Sequence, residues 1–329
     1  MPSPFVIVPR GSTGASEPLD LDPAFGELAV HAADPRVTDL FLNGADGLFL
    51  DRGSGAEPVP GWSASEREVR DLAVRLIALG GRHLDDQAPC VDVRLASGVR
   101  VHAVLAPVAT SGTAVSVRIP RVRAADLDDL CRLGAIDGAQ RAWLEETVRA
   151  RRNVLITGGT GTGKTTMLAA LLAHVPHDER IVTIEDVAEL RPRHPHHVSL
   201  EARQPNLEGV GAIGVARLVR ESLRMRPDRL IVGECRGEEI RDLLTALNTG
   251  HDGGAGTLHA SGLSDVPARL EALGALAGMD PPALARQAVS AFASVLHLVR
   301  ERSGVRRLVQ AGELWLDGEH LGIAEVRPW

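Results

Sequence analysis

The chain has 329 residues, about twice the length of one ordinary domain, and its 44% hydrophobic and 24% charged residues suit a soluble globular protein with a sizeable core. Its 36 basic and 43 acidic residues leave a net charge of −7, which excludes a wholesale basic coat for nucleic acid and a polybasic membrane anchor. Three widely spaced cysteines, Cys90, Cys131 and Cys235, exclude a disulfide framework and a four-cysteine zinc site; no Tyr and 3% aromatics supply base stacking poorly.

The N-terminal apolar run, residues 5–8, is too short for a signal-peptide core and far short of the roughly 18–20 residues of a spanning helix. Residues 1–20 read as a polar tail. The expected location is cytoplasmic, with membrane contact only through a partner at the inner face of the cell membrane.

Residues 21–119 read as a small α/β domain. Residues 37–42 form a strand that turns at Asn43 and Gly44. Residues 66–79 carry Val69, Leu72, Ala73, Leu76 and Leu79 at helical spacing, with Ser65 as N-cap and Gly80 and Gly81 as the stop. Residues 91–95, 98–105 and 113–119 read as three further strands. Residues 120–137, opening on Pro120, read as the interdomain linker.

From residue 138 to the end the pattern alternates. Helices are expected at 139–151, 164–173, 213–225 and 238–248, and strands at 153–157, 180–184, 229–233 and 256–259. Such alternation gives a parallel sheet with helices on both faces. The tail carries strand-like runs at 295–299, 307–309 and 313–316, read as an antiparallel addition.

Lys164 is the only lysine; every other basic residue is Arg. It stands in Gly158, Gly159, Thr160, Gly161, Thr162, Gly163, Lys164, Thr165, the pattern G-x-x-x-x-G-K-[ST], directly after a strand and opening a helix. Glycines let successive backbone N–H groups curl around one phosphate, and the helix N-terminus adds its positive end. Lys164 reaches the β/γ-phosphates, the Thr165 hydroxyl ligates Mg²⁺, and Thr166 follows in the first turn. A compact ammonium fits beneath such a loop where a planar guanidinium does not. GTPases that read guanine through N-K-x-D and protein kinases with a strand lysine both need a lysine this chain lacks, so ATP is the expected nucleotide.

Glu185 and Asp186 follow the strand at 180–184, on the edge where ligands of open α/β sheets sit. A carboxylate there polarises the attacking water or holds the metal; the plainer alternative is a solvated acidic turn or a helix cap. Glu234 closes the apolar strand 229–233, placed to bind Mg²⁺ through water or to act as base, with a simple pair to Arg236 as the alternative. His251 and His259 bracket a glycine-rich turn and are expected to sense the γ-phosphate and move; metal ligation is the alternative, with no Cys or third ligand at a useful spacing. His194, His196 and His197 lie in a Pro-rich stretch and read as surface residues.

Taken in order, Ile184-Glu-Asp, the run from Arg224 to Gly237 around Glu234, the run from Asn248 to Gly254, and Thr257-Leu-His-Ala resemble the type II/type IV secretion ATPase superfamily, and within it the TadA/CpaF-like branch. The resemblance implies a RecA-like ATPase domain after a smaller N-terminal domain. Glu185 and Asp186 then belong to an Asp box, Glu234 is the Walker B acid, and His251 and His259 belong to a His box. It also implies arginine fingers from the N-terminal domain, for which Arg100 and Arg118 are the candidates and Arg121, Arg217 and Arg236 lesser ones. Plain outward-facing strand arginines are the alternative.

The same resemblance implies a homo-hexameric ring docked on an inner-membrane platform protein; the cysteine spacing argues against zinc, and the net charge of −7 with few aromatics against direct nucleic-acid binding. The implied ring uses ATP and Mg²⁺ bound between the domains to drive pilin assembly or substrate export. One feature departs from the branch: only about twenty residues precede the N-terminal domain. The tetracysteine zinc module of the type II secretion branch is missing, which supports the assignment away from that branch. The alternatives are a DNA-transfer ATPase of the conjugation type and a nucleotide-gated scaffold with little turnover.

Overall fold

The computed structural model describes residues 22–53, 55–95, 97–119, 125–203 and 210–329, which fall into two compact units, Met1–Arg123 and Ala124–Trp329. The expected tail at 1–20, the lesser finger candidate Arg121 and the start of the expected linker lie outside the described residues.

The first unit contains α1 (Leu28–Ala32), β1 (Asp39–Asn43), β2 (Leu48–Asp51), β3 (Ala56–Pro58), α2 (Glu66–Leu79), β4 (Cys90–Arg94), β5 (Arg100–Val104) and β6 (Ala114–Arg118). Its sheet has the order β3-β2-β1-β6-β5-β4, and every neighbouring pair is antiparallel. Alternating burial along β1, β2, β4, β5 and β6 makes this a one-sided sheet. Val91, Val93, Val101, Ala103, Val115 and Val117 are buried with Val69, Ala73, Leu76 and Ile77 of α2. Ser65 starts α2 through a capping box with Glu68, as its sequence position predicts.

In the second unit come α3 (Leu127–Arg132), α4 (Gly138–Arg149), β7 (Val154–Gly158), α5 (Lys164–Leu172), β8 (Ile181–Glu185), β9 (His197–Glu201), α6 (Val215–Ser222), β10 (Arg229–Val232), α7 (Glu239–Leu247), β11 (Ala255–His259), α8 (Val266–Leu276), α9 (Pro281–Ala291), β12 (Ser294–Arg300), β13 (Arg306–Asp317) and β14 (His320–Val326). Strand order is β14-β13-β12-β7-β11-β10-β8-β9, parallel from β12 to β9 and antiparallel at β13 and β14. Helices α3, α4 and α5 share one apolar cluster and α6 to α9 another, so both faces of the sheet are covered.

Three sequence expectations need correction here. The polar stretch read as linker contains α3, which belongs to the second unit: Asp126 and Asp137 are N-caps with Asp129 and Gln140 completing capping boxes, so the acidic residues start helices. The tail is not wholly antiparallel, because β12 runs parallel to β7. His197 is not a loop residue: it opens β9 and its Nε2 lies 2.9 Å from Thr183 Oγ1.

Candidate functional site

Strand β7 is buried along its whole length and delivers the chain to the loop at the C-terminal edge of the sheet. Gly158 is required there by space, since a Cβ would stand 2.6 Å from Thr162 Oγ1 and collide with the Leu298 carbonyl. The loop closes on itself through Thr162 Oγ1, which donates to the Gly159 carbonyl at 2.9 Å. Gly163, left-handed at φ 94°, turns the chain into α5, whose opening residues are Lys164, Thr165 and Thr166. Thr160 is exposed at the tip.

Lys164 is buried, only 7% exposed. Its Nζ donates to the carbonyls of Gly158 and Gly159, both at 2.9 Å, and lies 3.3 Å from His259 Nδ1. Burial pushes its pKa below the usual lysine value, Glu234 counters, and Arg236 adds to the lowering. No carboxylate lies within ion-pair distance of it among the described residues. A buried ammonium held only by carbonyls and an imidazole, beneath a glycine loop at a helix N-terminus, suits a phosphate.

His259 ends β11 directly beside Gly158, its Cα partner on β7. The ring Nδ1 faces the Lys164 ammonium and therefore accepts, which leaves the ring proton on Nε2. Nε2 stands 2.6 Å from Glu234 Oε1, yet out of line for hydrogen bonding, so this buried oxygen accepts no hydrogen bond. Glu234 Oε2 accepts from Arg236 at 2.6 Å, and Arg236 in turn lies 3.8 Å from Asp186. Burial first, then the Lys164 charge, push the His259 pKa below its usual 6.5, with Glu234 opposing. The Glu234 oxygen left without a hydrogen bond, and the Thr165 hydroxyl in the first turn of α5, are oxygen donors of the kind Mg²⁺ takes directly or through water.

The fold thus joins Lys164, His259, Glu234, Arg236 and Asp186 into one chain of contacts. Glu185 is buried too, but its carboxylate accepts from the amides of Glu189 and Leu190 at 3.1–3.2 Å and anchors the loop after β8. His251 does not join the site within this unit. It precedes β11, whose five residues span about 13 Å by strand rise and end on His259, and is tied to the Ala246 carbonyl in the last turn of α7. Of the two histidines expected to sense the phosphate, His259 alone stands beside the loop within this unit.

Arg100 and Arg118 are Cα partners on β5 and β6 of the first unit, ion-paired with Asp92 at 2.9 Å and Asp39 at 3.2 Å. Arg217 lies exposed on α6. Three residues near the loop escape sequence reading. Thr257 Oγ1 donates to the Gly233 carbonyl at 2.6 Å, and Glu239 accepts from the amides of Arg236 and Gly237, shaping the turn after Glu234. Arg306 donates through Nε to the Gly161 carbonyl at 2.8 Å from 145 residues further along the chain. In so arginine-rich a sequence a single arginine carries no signal, so only the fold reveals it.

A family model described as type II/IV secretion system protein matches residues 27–313. A protein of Mycobacterium tuberculosis (strain ATCC 25618 / H37Rv), provisionally assigned to conjugal transfer, is 51% identical over 284 residues, covering 84% of this chain and 81% of its own length. The conjugal transfer protein TrbB of Rhizobium radiobacter is 33% identical over 288 residues, covering 86% and 85%. Among solved structures, the pilus retraction motor PilT with bound ADP matches with a TM-score of 0.60 at 18% identity, over 91% of this chain and 81% of that one. The Yersinia pseudotuberculosis ATPase DotB matches with a TM-score of 0.61 at 15% identity, over 95% and 81%. At these identities the two structures share the fold.

Proposed function

The chain belongs to the type II/type IV secretion system protein family, and from that premise we propose that it is an ATP-hydrolysing motor of a type IV secretion or conjugal-transfer apparatus. The observation that carries the reading is Lys164, buried under its glycine loop with only backbone carbonyls and His259 for partners. Among the described residues no helix is long and apolar enough to cross a membrane, so the proposed work at an inner-membrane platform passes through a partner protein.

In this reading Lys164 exchanges the carbonyls of Gly158 and Gly159 for the β- and γ-phosphate oxygens of ATP. Glycines 158, 159, 161 and 163 and the threonines Thr160, Thr162, Thr165 and Thr166 line the phosphates with backbone amides and hydroxyls. Thr165 and Glu234 hold Mg²⁺, which when bound neutralises charge on the phosphate oxygens. Glu234 orients and deprotonates the attacking water, and Arg236, now bonded to its Oε2, competes for that carboxylate. His259 contacts both Lys164 and Glu234, so a change in either is felt at the other. Asp186 and Glu185 support the acidic side of the site, Glu185 through the loop it anchors. Arg100 and Arg118 are the proposed arginine fingers, and a homo-hexameric cytoplasmic ring is the proposed assembly.

Conjugal transfer is supported at least as well as a Tad/Flp-like pilus, because relatives 51% and 33% identical are assigned to it. The net charge of −7 and the scarcity of aromatics favour an export motor over a chain that grips DNA itself. The deciding experiment is Mg-dependent ATP turnover across a protein-concentration series, beside Lys164→Ala. Turnover per subunit that rises with concentration and vanishes in the variant supports a catalytic ring. Tight ATP binding without turnover at any concentration overturns the autonomous motor and leaves a nucleotide-gated scaffold.

A further inference from the structure

Strands β12 and β13 form a hairpin beside the phosphate loop. Its turn and flanks carry Arg300, Arg302, Arg306 and Arg307. Arg307 is matched by Glu301 at 2.8 Å. Arg306 is not matched: no carboxylate lies within ion-pair distance of it among the described residues, and its Cα partner across the hairpin is Arg300. Instead, the Arg306 stem runs over Gly163, where a Cβ would come 3.1 Å from its Cδ, and its Nε holds the Gly161 carbonyl. The two Nη groups have no hydrogen-bond partner among the described residues.

This is a costly place for a lone cation. Lys164 lies under the same loop, the loop's own amides are positive, and Arg300 stands opposite. Loss of water beside the loop, with Arg300 adding repulsion, lowers the Arg306 pKa from the usual arginine value, though a guanidinium stays charged throughout the physiological range. Bracing Gly161 needs a single N–H. A planar fork with two spare donors over a phosphate loop is what a phosphate group takes in a two-point contact.

We propose that Arg306 is a nucleotide-binding residue whose Nη donors take phosphate oxygens of the ADP or ATP seated in the loop while its Nε fixes Gly161. The β12–β13 hairpin then forms one wall of the site, and nucleotide occupancy is transmitted to the antiparallel strands beside β7. The inference deepens the reading of the loop as an ATP site and rests on it.

The test is titration of wild type, Arg306→Gln and Arg306→Lys with N-methylanthraniloyl-ADP, with unlabelled adenosine and pyrophosphate as competitors. Arg306 is exposed along its side chain, so both variants keep the fold. Arg306→Gln should raise the Kd for ADP and the inhibition constant of pyrophosphate on the order of tenfold, as removal of a charge-assisted hydrogen bond to phosphate would. Adenosine, which has no phosphates, should compete equally in all three proteins, and Arg306→Lys should restore most of the affinity. Arg306→Gln within twofold of wild type overturns the proposal. Equal weakening in the Gln and Lys variants also overturns it, since the residue then only braces Gly161. A wild type that binds no ADP removes the ATP-site reading as well, which separates the two failures.

Discussion

His259 stands with one ring nitrogen 3.3 Å from Lys164 Nζ and the other 2.6 Å from Glu234 Oε1, so one neutral imidazole spans the phosphate-binding cation and the strand-end acid. Its pKa is lowered from 6.5, chiefly by burial and then by Lys164. Protonation would place a third positive charge beside Lys164 and Arg236 and remove the acceptor that faces the ammonium. kcat/KM for ATP should therefore be level above about pH 6.5 and fall as pH drops through the lowered His259 value. His259→Gln should be slower at every pH and lack that acid limb. A pH–rate profile with the same acid limb in the variant would show that another group titrates.

Stability should follow pH in the same direction. His197, His259 and His297 all have folded-state pKa values lowered from 6.5, burial being the largest cause for each. The unfolded chain then binds more protons than the folded one below pH 6.5. The contribution of these neutral histidines is fully present above about pH 6.5 and is lost as pH falls toward their lowered values. Urea midpoints measured between pH 7.5 and 5.5 should decline. His297→Gln, which removes the ring held 2.9 Å from Thr157 Oγ1, should flatten part of that decline even though it destabilises at neutral pH.

The two strand-end acids should separate experimentally. Glu234 keeps an oxygen without a hydrogen bond, whereas Glu185 gives both of its oxygens to backbone amides. Glu234→Gln should bind ADP nearly as wild type does while kcat falls on the order of 100-fold, the loss of a general base. Glu185→Ala should cost about 1–3 kcal/mol in urea unfolding, because the amides of Glu189 and Leu190 lose their acceptor. A stable Glu185→Ala protein with normal loop protection in hydrogen exchange would remove the anchoring role.

Gly233 makes the neighbouring constraint visible. A Cβ there would run into the Glu185 side chain, with Oε1 at 2.9 Å, while its carbonyl accepts from Thr257 Oγ1. Gly233→Ala should displace Glu185 and cost about 1–3 kcal/mol by overpacking, read from the shift in urea midpoint. Gly237→Ala, whose Cβ would meet Glu239 Oε2 no closer than 3.4 Å, is the near-neutral control.

The phosphate loop and the strands around it were legible because their signals are local: an apolar run, a glycine pattern and a helix start within about a dozen residues. What stayed hidden depends on distant chain. Strand β9 carries alternating exposure at a sheet edge, so His197 offered no apolar run to mark it. Helix α9 opens on Pro281 and Pro282, which are at home in a first helical turn but give no apolar period to mark it. Gly312 divided the apolar pattern of β13 into two apparent strands. His251 and His259 looked equivalent because eight residues of sequence do not say which end of a strand each flanks. Arg306 reaches Gly161 only after three sheet strands are assembled side by side.

At the far edge of the sheet from the phosphate loop, Arg229 is 2% exposed and its guanidinium meets Glu179 at 2.5 Å, the Val148 carbonyl at 3.0 Å and the Gly253 carbonyl at 3.5 Å. Arg229→Ala strands a mostly buried carboxylate, though Arg151 also reaches Glu179 at 3.2 Å and softens the loss. The cost should be about 3 kcal/mol, the lower end for breaking a buried pair. Gly253 lies so close that a Cβ would overlap the guanidinium, and its φ of +78° adds strain for any side chain. Gly253→Ala should therefore destabilise strongly in wild type and much less in Arg229→Ala, where the overlap is gone and only the backbone strain remains. A double-mutant cycle in urea should give a coupling of at least about 1 kcal/mol. Additive costs would mean that the arginine has room to move aside, and that the packing of this edge does not depend on glycine.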